Sequence, residues 1–375
     1  MKDFVYVVDV RNLILQNQST LKRHVKYSEL LELKSNHRLS FGIIRFRRQE
    51  SITSGIQDGL QILTFPSNPF TVAKCFITNK VSNSHQNLSA KILVAGDPWE
   101  SSLCAYILKS TFFTMAKVQV QIHGDIGNKT WIHLTFRNFL RSKLAKLTLQ
   151  FADQLRTVSK KQTENLISKY GVSELKCRVI PVPSLLSTTL DIPFEPHSST
   201  PTIGFIGRLH SDRGINNFLN LVGKLQSAKL TFSVIVAGDG PERNSFEVNL
   251  RKILRPENVK FLGNLNQTEM ESVWSQIGIL VSTAPTESFG RAIREAIAWG
   301  VPVWATPSSG VSDLQSEISQ SYVMDLDIAL PAMRQAEIFN QLLATKIPLD
   351  VRKGIIGADL RALESLISSW LELCE

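Results

Sequence analysis

The chain has only four cysteines in 375 residues, Cys75, Cys104, Cys177 and Cys374, and no C-x-x-C pair. So few, so widely scattered, they argue against a disulfide framework and against a zinc site, and they make a reducing cytoplasm the expected compartment. No apolar run reaches the roughly 18 residues that a spanning helix needs. The apolar stretch at Phe4–Val8 is too short for a signal peptide and reads as a first strand. Short-period repeats and low-complexity tracts are absent, which excludes solenoid and fibrous classes. What is present fits a folded protein: 43% hydrophobic and 20% charged residues. At roughly 150 residues per domain, the length predicts two domains.

Charge is unevenly spread. Residues 1–195 hold 26 Lys and Arg against 14 Asp and Glu, a net of +12; residues 196–375 hold 16 against 19, a net of −3. The asymmetry predicts an anionic partner for the first half: a membrane surface, nucleic acid or an acidic substrate. The basic clusters, Lys22–Lys26, Arg45–Arg48 and Arg137–Lys146, form no recognisable nucleic-acid module, so nucleic acid is set aside.

Strand-like runs alternate with helical patterns throughout, which predicts βαβ units and parallel sheets. Expected strands include Phe4–Val8, Ile92–Ala95, Val118–Ile122 and Leu155–Val158, then Thr202–Ile206, Thr231–Ala237, Ile277–Val281 and Pro302–Ala305. Between the two sets lies a polar linker, 191–202, marked by Pro193, Pro196 and Pro201. The expected division is a Rossmann-like domain over 1–195, joined by a last helix over 360–375, and a second Rossmann-like domain over 196–359. Phe136, Leu140, Leu144, Leu147 and Phe151 recur at helical spacing. Two readings are open for that helix: a crossover helix with Phe136, Leu140 and Leu144 in the core, the one favoured, or a basic amphipathic helix on anionic lipid.

The second half carries the sharper motifs. Gly207-Arg208 follows a strand, and Arg213-Gly214 precedes a helix. Ligands of doubly wound sheets sit beyond the carboxyl ends of strands, where two guanidinium groups near a helix N-terminus suit a diphosphate. Two solvated surface arginines are the plainer alternative. Gly238 and Gly240 flank Asp239 after the next strand and permit close backbone approach. Glu287 then precedes a helix start at Phe289-Gly290, and Glu295 follows about two turns on. Two carboxylates bracketing exposed amides suit a ligand with phosphate in the middle and hydroxyls at both ends. A glutamate complementing the helix dipole and a solvated Glu295 are the alternative.

Together, Gly207-Arg208-Leu209, Arg213-Gly214, Ala237–Arg243, Phe261-Leu262-Gly263 and the pair Glu287…Glu295, within residues 202–315, resemble the GT-B retaining glycosyltransferases of the family 4 type. Ala152-Asp153, Thr157–Ser159, Val179–Pro181 and His123–Asp125 extend the resemblance into the first half. It implies an α/β, GT-B fold: two Rossmann-like domains, an interdomain cleft, and a C-terminal helix returning to the first domain. It further implies that Arg208 and Arg213 hold a donor diphosphate, that Glu287 contacts sugar hydroxyls, and that Phe289 and Gly290 offer amides. Glu295 would take the ribose, Gly207, Gly238 and Gly263 would line the donor site, and His123 would face the transferred sugar. Arg213 stands where the family usually has lysine. The first-strand loop, Val10–Lys22, contains no glycine, and Ser308-Ser309-Gly310 and Val182-Pro183 also depart from the pattern.

The expected activity is metal-independent hexosyl transfer from a UDP- or GDP-linked sugar, without a cofactor, to a glycan or lipid-linked acceptor in polysaccharide or glycolipid synthesis. The location would be cytoplasmic or peripheral at the inner face of a membrane. A non-catalytic sugar-nucleotide-binding protein and a nucleotide-sugar epimerase are the alternatives. Asp325-Leu326-Asp327 has the spacing of a metal-diphosphate motif of another fold but is expected to be structural, and His24 is expected on a surface helix. Asp97 and Glu100 are open between the cleft and a helix N-terminus, and His123 and Asp125 between the cleft and a satisfied strand-end position.

Overall fold

The computed structural model describes residues 3–68, 89–127, 129–184 and 200–375. The expected linker lies, up to residue 199, outside them, as does Cys75; Cys104, Cys177 and Cys374 are free thiols. The chain divides into two units, Met1–Pro183 with Arg361–Glu375, and Ser184–Leu360.

Unit 1 contains β1 (Asp3–Asp9), α1 (Gln18–Lys34), β2 (Leu39–Arg47), β3 (Thr53–Gln57), β4 (Leu60–Pro66), β5 (Ile92–Ala95), α2 (Glu100–Thr111) and β6 (Lys117–Gln121). It continues with α3 (Lys129–Leu134), α4 (Phe136–Thr148), β7 (Gln154–Thr157), α5 (Lys160–Tyr170) and β8 (Cys177–Val179). The strands lie in the order β3-β4-β2-β1-β5-β6-β7-β8, and only β3 runs antiparallel to its neighbour. The central strands are buried on both faces, as parallel sheets require, which is why Val5–Val8 and Ile92–Ala95 read as continuous apolar runs. Strand β3 escaped the sequence reading because all five of its residues are exposed, leaving no apolar alternation to read.

Unit 2 contains β9 (Thr202–Ile206), α6 (Ile215–Ser227), β10 (Ser233–Ala237), α7 (Arg243–Ile253), β11 (Val259–Gly263), α8 (Gln267–Trp274) and β12 (Ile279–Ser282). Then follow α9 (Arg291–Ala298), β13 (Val303–Ala305), α10 (Ser309–Glu317), β14 (Val323–Asp325), α11 (Ala332–Ala344) and α12 (Leu349–Cys374). Its sheet is wholly parallel, β11-β10-β9-β12-β13-β14, reversing direction of growth at β9 and β12. Helix α6 buries Ile215, Phe218, Leu221, Val222 and Leu225 at helical spacing. Phe205, Phe218 and Phe246 meet edge to face with centroids 5.0, 5.2 and 5.7 Å apart, a favourable geometry for aromatic quadrupoles.

The last helix starts at Leu349, earlier than the expected residue 360, and its final turns belong to unit 1. There Trp370 is fully buried, stacks on Phe41 at 5.5 Å, and donates from Nε1 to Gln119 Oε1 at 2.9 Å. The helix return implied by the family resemblance is therefore present.

Helix α4 corrects the favoured sequence reading. Most of its apolar stripe stays out of the core: Phe136, Leu140, Leu147 and the following Phe151 are exposed, and Leu144 is half-buried. The buried face is Ser142, Ala145 and Thr148. These small side chains let the helix approach its neighbours closely enough for specific hydrogen bonds. Tyr106 donates to Thr148 O at 2.6 Å, and the Ser142 and Tyr170 hydroxyls meet at 2.9 Å. Arg141 is largely covered, lies 4.8 Å from the Trp99 ring centroid and pairs with Glu100 at 2.8 Å.

Candidate functional site

Three strand ends in unit 2 are laced together by main chain. Gly207 N donates to Ala237 O at 2.9 Å, Leu209 N to Asp239 O at 2.9 Å, and Gly238 N to Gly263 O at 2.7 Å. Gly238 has φ +134°, and a Cβ there would fall 1.9 Å from Gly207 O. Only glycine lets these backbones meet. Gly207, Gly238 and Gly263, separate in sequence, thus form one rim beyond the carboxyl ends of β9, β10 and β11.

Beside that rim stands Arg213. The turn Ser211–Arg213 ends at Gly214, φ +67°, where a Cβ would lie 2.0 Å from Thr283 O. The Thr283 hydroxyl donates back to Arg213 O at 3.0 Å. The Arg213 guanidinium is therefore carried by a loop fastened to the end of β12. Its Nη1 donates to Glu287 Oε2 at 2.7 Å, both side chains being largely covered. Its Nε has no hydrogen-bond acceptor among the described residues; Asp212 Oδ1 is 3.9 Å away. Arg208 is 68% exposed, with Asp212 Oδ2 3.4 Å from its Nη2. An anion entering here would meet the Arg213 guanidinium, held by Glu287, and the solvated guanidinium of Arg208.

Glu287 also accepts from Gly290 N at 3.3 Å. Gly290 sits at φ +76° and opens α9, whose first amides have no partner within the helix. Phe289 is buried beneath the Arg294 guanidinium, 4.4 Å from its ring centroid, and Arg294 is bidentate to Glu317 at 2.8 and 3.0 Å. Gly310 N donates to Glu287 O at 2.8 Å, and a Cβ on Gly310 would strike the Phe289 backbone at 2.6 Å. One glycine at this position suffices for that approach. Glu295 is mostly covered and 3.4 Å from Arg291 Nη2, one helical turn before it.

The structure thus gathers Gly207, Arg208, Arg213, Gly238, Gly263, Glu287, Phe289, Gly290 and Glu295 in unit 2. His123 belongs to unit 1, just past β6. The residue is exposed, and crowding by the surrounding protein, then the charges of Arg156, Arg23 and His24, lower its pKa from the ordinary value. The neighbouring positive groups act in the same direction as burial, since both disfavour the protonated ring. At neutral pH this imidazole is neutral.

Sequence reasoning missed Arg294, Glu317 and Thr283. An arginine among the buried Ile293, Ala296 and Ile297 was the available signal. It also missed Arg156, which is buried and donates to Ile180 O at 2.9 Å, Gln121 Oε1 at 3.1 Å and Pro181 O at 2.6 Å. Desolvation, opposed in part by Tyr27, lowers its pKa to about 10, so it stays charged. Val179–Pro181 is thereby explained as a cradle for that cation. His24 is a partly buried residue rather than a surface one: Nδ1 lies 2.7 Å from Thr20 O and the ring packs on Tyr27 and Phe41. Asp97 accepts from Trp99 N and from Ser101 N and Oγ, closing the start of α2. Asp125 is buried against Asn165. Asp325 accepts from Gln315 at 2.8 Å and Asp327 from Ala329 N at 2.9 Å, which ties the D-x-D to local structure. Among the described residues, no group of three His, Cys, Asp or Glu side chains could hold a metal ion.

The family described as Glycosyl transferases group 1 matches residues 190–325, the stretch that builds this site. The 2-deoxystreptamine glucosyltransferase of Streptomyces kanamyceticus is 29% identical over 126 residues, 34% of this chain and 33% of that one. The GDP-mannose-dependent alpha-mannosyltransferase of Corynebacterium glutamicum is 27% identical over 144 residues, 38% of this chain and 32% of that one. The chain therefore spans about a third of the length of these curated relatives. Among solved structures, Anabaena HepE in complex with UDP-glucose superposes with a TM-score of 0.65 at 15% identity, covering 97% of this chain and 99% of that one. The fold is GT-B, and the resemblance to group 1 glycosyltransferases read from the motifs is borne out.

Proposed function

We propose that this chain is a retaining glycosyltransferase of the family 4 type that moves a hexosyl group from a UDP- or GDP-linked sugar to a glycan or lipid-linked acceptor. It would serve polysaccharide or glycolipid synthesis, in the cytoplasm or at the inner face of a membrane. The observation that carries the reading is the Arg213–Glu287 contact at the glycine rim. Glu287 holds Nη1 of the Arg213 guanidinium and so fixes the cation at the rim. As the sugar–phosphate bond breaks, negative charge grows on the leaving diphosphate. Preorganised cations and helix-start amides stabilise it without reorganising at that moment. We assign this role to Arg213, Arg208 and the amide of Phe289, with the Gly290 amide, which donates to Glu287 Oε1 at 3.3 Å, holding that carboxylate in place; Glu287 orients Arg213 and contacts sugar hydroxyls, and Glu295 binds ribose. His123, neutral at physiological pH, is the unit 1 group assigned to the transferred sugar. This chemistry asks for no divalent ion.

A thermal-shift screen of UDP-, GDP- and ADP-sugars tests the assignment, since a ligand of the native state raises its midpoint. A matching donor raises it, and Arg208→Ala and Glu287→Ala each abolish the rise; unchanged shifts in both variants overturn the site. Slow donor hydrolysis separates an enzyme from a non-catalytic binder. Turnover lost to EDTA and restored by a divalent ion overturns the metal-independent mechanism.

A further inference from the structure

The exposed stripe of α4 is the largest feature that the site above leaves unused. Phe136 is 76% exposed, Leu147 57% and Phe151 64%, while Leu140 is also exposed. At 3.6 residues per turn, Phe136, Leu140 and Leu147 fall within about 40° of one another around the helix axis. Lys143 and Lys146 flank them on one side and Arg137 on the other, all exposed. Lys143 Nζ lies 5.4 Å from the Phe139 ring centroid, so the cations sit at the level of the aromatic rings. The buried arc is Ser142, Ala145 and Thr148, so this face is turned outward by packing rather than by an unfilled core.

Charge on this surface is one-sided. Ile126–Ala152 contains no acidic residue and carries Lys129, Arg137, Arg141, Lys143 and Lys146. Arg141 and Arg137 share the carboxylate of Glu100, at 2.8 and 3.6 Å, with Arg11 at 3.0 Å. An apolar stripe bordered on both sides by cations on one straight helix matches the layered order of an anionic bilayer: acyl chains beneath, phosphates at the margin. Among the described residues no helix is long and apolar enough to cross a membrane.

We propose that α4 is a membrane-docking helix that lies flat on an anionic phospholipid surface, with Phe136, Leu140, Leu147 and Phe151 inserted and Arg137, Lys143 and Lys146 at the phosphates. The proposal does not depend on sugar transfer, and its test reads no turnover. The full chain is floated with vesicles of phosphatidylcholine alone and of phosphatidylcholine with phosphatidylglycerol, at low and high salt. The expected result is flotation with the anionic vesicles only, reduced by salt. The triple change R137Q/K143Q/K146Q weakens it at least about tenfold, because each cation contributes separately. The triple change F136S/L140S/L147S weakens it comparably at either salt. Because all six side chains are exposed, thermal midpoints stay at the parent value, and the charge variant serves alone if the serine variant does not fold. Binding indifferent to lipid charge, or unchanged in the charge variant, overturns the proposal. So does a concentration-dependent dimer that the serine variant abolishes while vesicle binding persists, since the occupant is then a second copy.

Discussion

Both units begin with a parallel strand running into a loop, but they build that loop by different chemistry. In unit 2 the loops after β9 and β10 are made of glycines whose backbones touch, with Gly207 O where a Gly238 side chain would have to be. In unit 1 the loop after β1 has no glycine. Asp9 closes it instead, its two carboxylate oxygens accepting from Leu13 N at 3.1 Å and Ile14 N at 2.8 Å. Asn12 takes the left-handed turn at φ 56° and donates its amide to Phe46 O at 2.9 Å. In the glycine rim the N–H groups of Gly207, Leu209 and Gly238 are bound to neighbouring carbonyls, so what the glycines supply is close approach of backbone, whereas the first loop of unit 1 is closed by a carboxylate on Leu13 N and Ile14 N. The missing glycines therefore mark a loop closed by a side chain and not by touching backbones, and the proposed donor contacts fall in unit 2.

The largest break in that comparison is Gly238→Ala. The positive φ alone costs about 1–3 kcal/mol, and the collision with Gly207 O must shift a backbone as well. A lowered thermal midpoint with no donor-induced rise is expected; a variant as stable and as responsive as the parent would sink the glycine-rim account. Asp9→Ala comes next. It strands two backbone amides, one of them buried, at about 1–3 kcal/mol. Stability measured in urea falls, while the rise in midpoint with donor persists because the rim is untouched. Loss of the donor response here would return the first loop to the binding site.

The smallest effect concerns pH. Desolvation, then Arg23 and Arg156, lower the His24 pKa from 6.5 to about 4, against a raising hydrogen bond to Thr20. Above pH 6.5 His24 is neutral in both folded and unfolded chains. As pH falls through that value the unfolded chain takes up a proton that the folded one refuses, so stability is progressively lost toward pH 4. His24→Gln should flatten part of the fall in urea midpoint between neutral and mildly acidic buffer. Parallel curves for parent and variant would remove His24 as a cause.

How much of this was legible differed by element. Fully buried parallel strands announce themselves, and Ile92–Ala95 and Thr202–Ile206 have the bounds that their apolar runs suggested. The positions of Gly207, Arg213, Glu287 and Gly290 could be read because turns and helix starts restrict residue type locally. The Arg294–Glu317 brace could not, since its partners are 23 residues apart and the buried position of Arg294 does not by itself name Glu317.

The sequence by itself determined the two parallel α/β halves, their opposite charge and the order of the donor motifs. All of these follow from local propensity and from periodicity along the chain. Only the tertiary structure decided that Arg213 meets Glu287, that Asp9 stands in for glycine, and that the phenylalanine and leucine stripe of α4 faces outward. Periodicity shows that a helix has two faces. Which one turns inward depends on how closely its neighbours can approach, and here Ser142, Ala145 and Thr148 fit where the larger side chains would not.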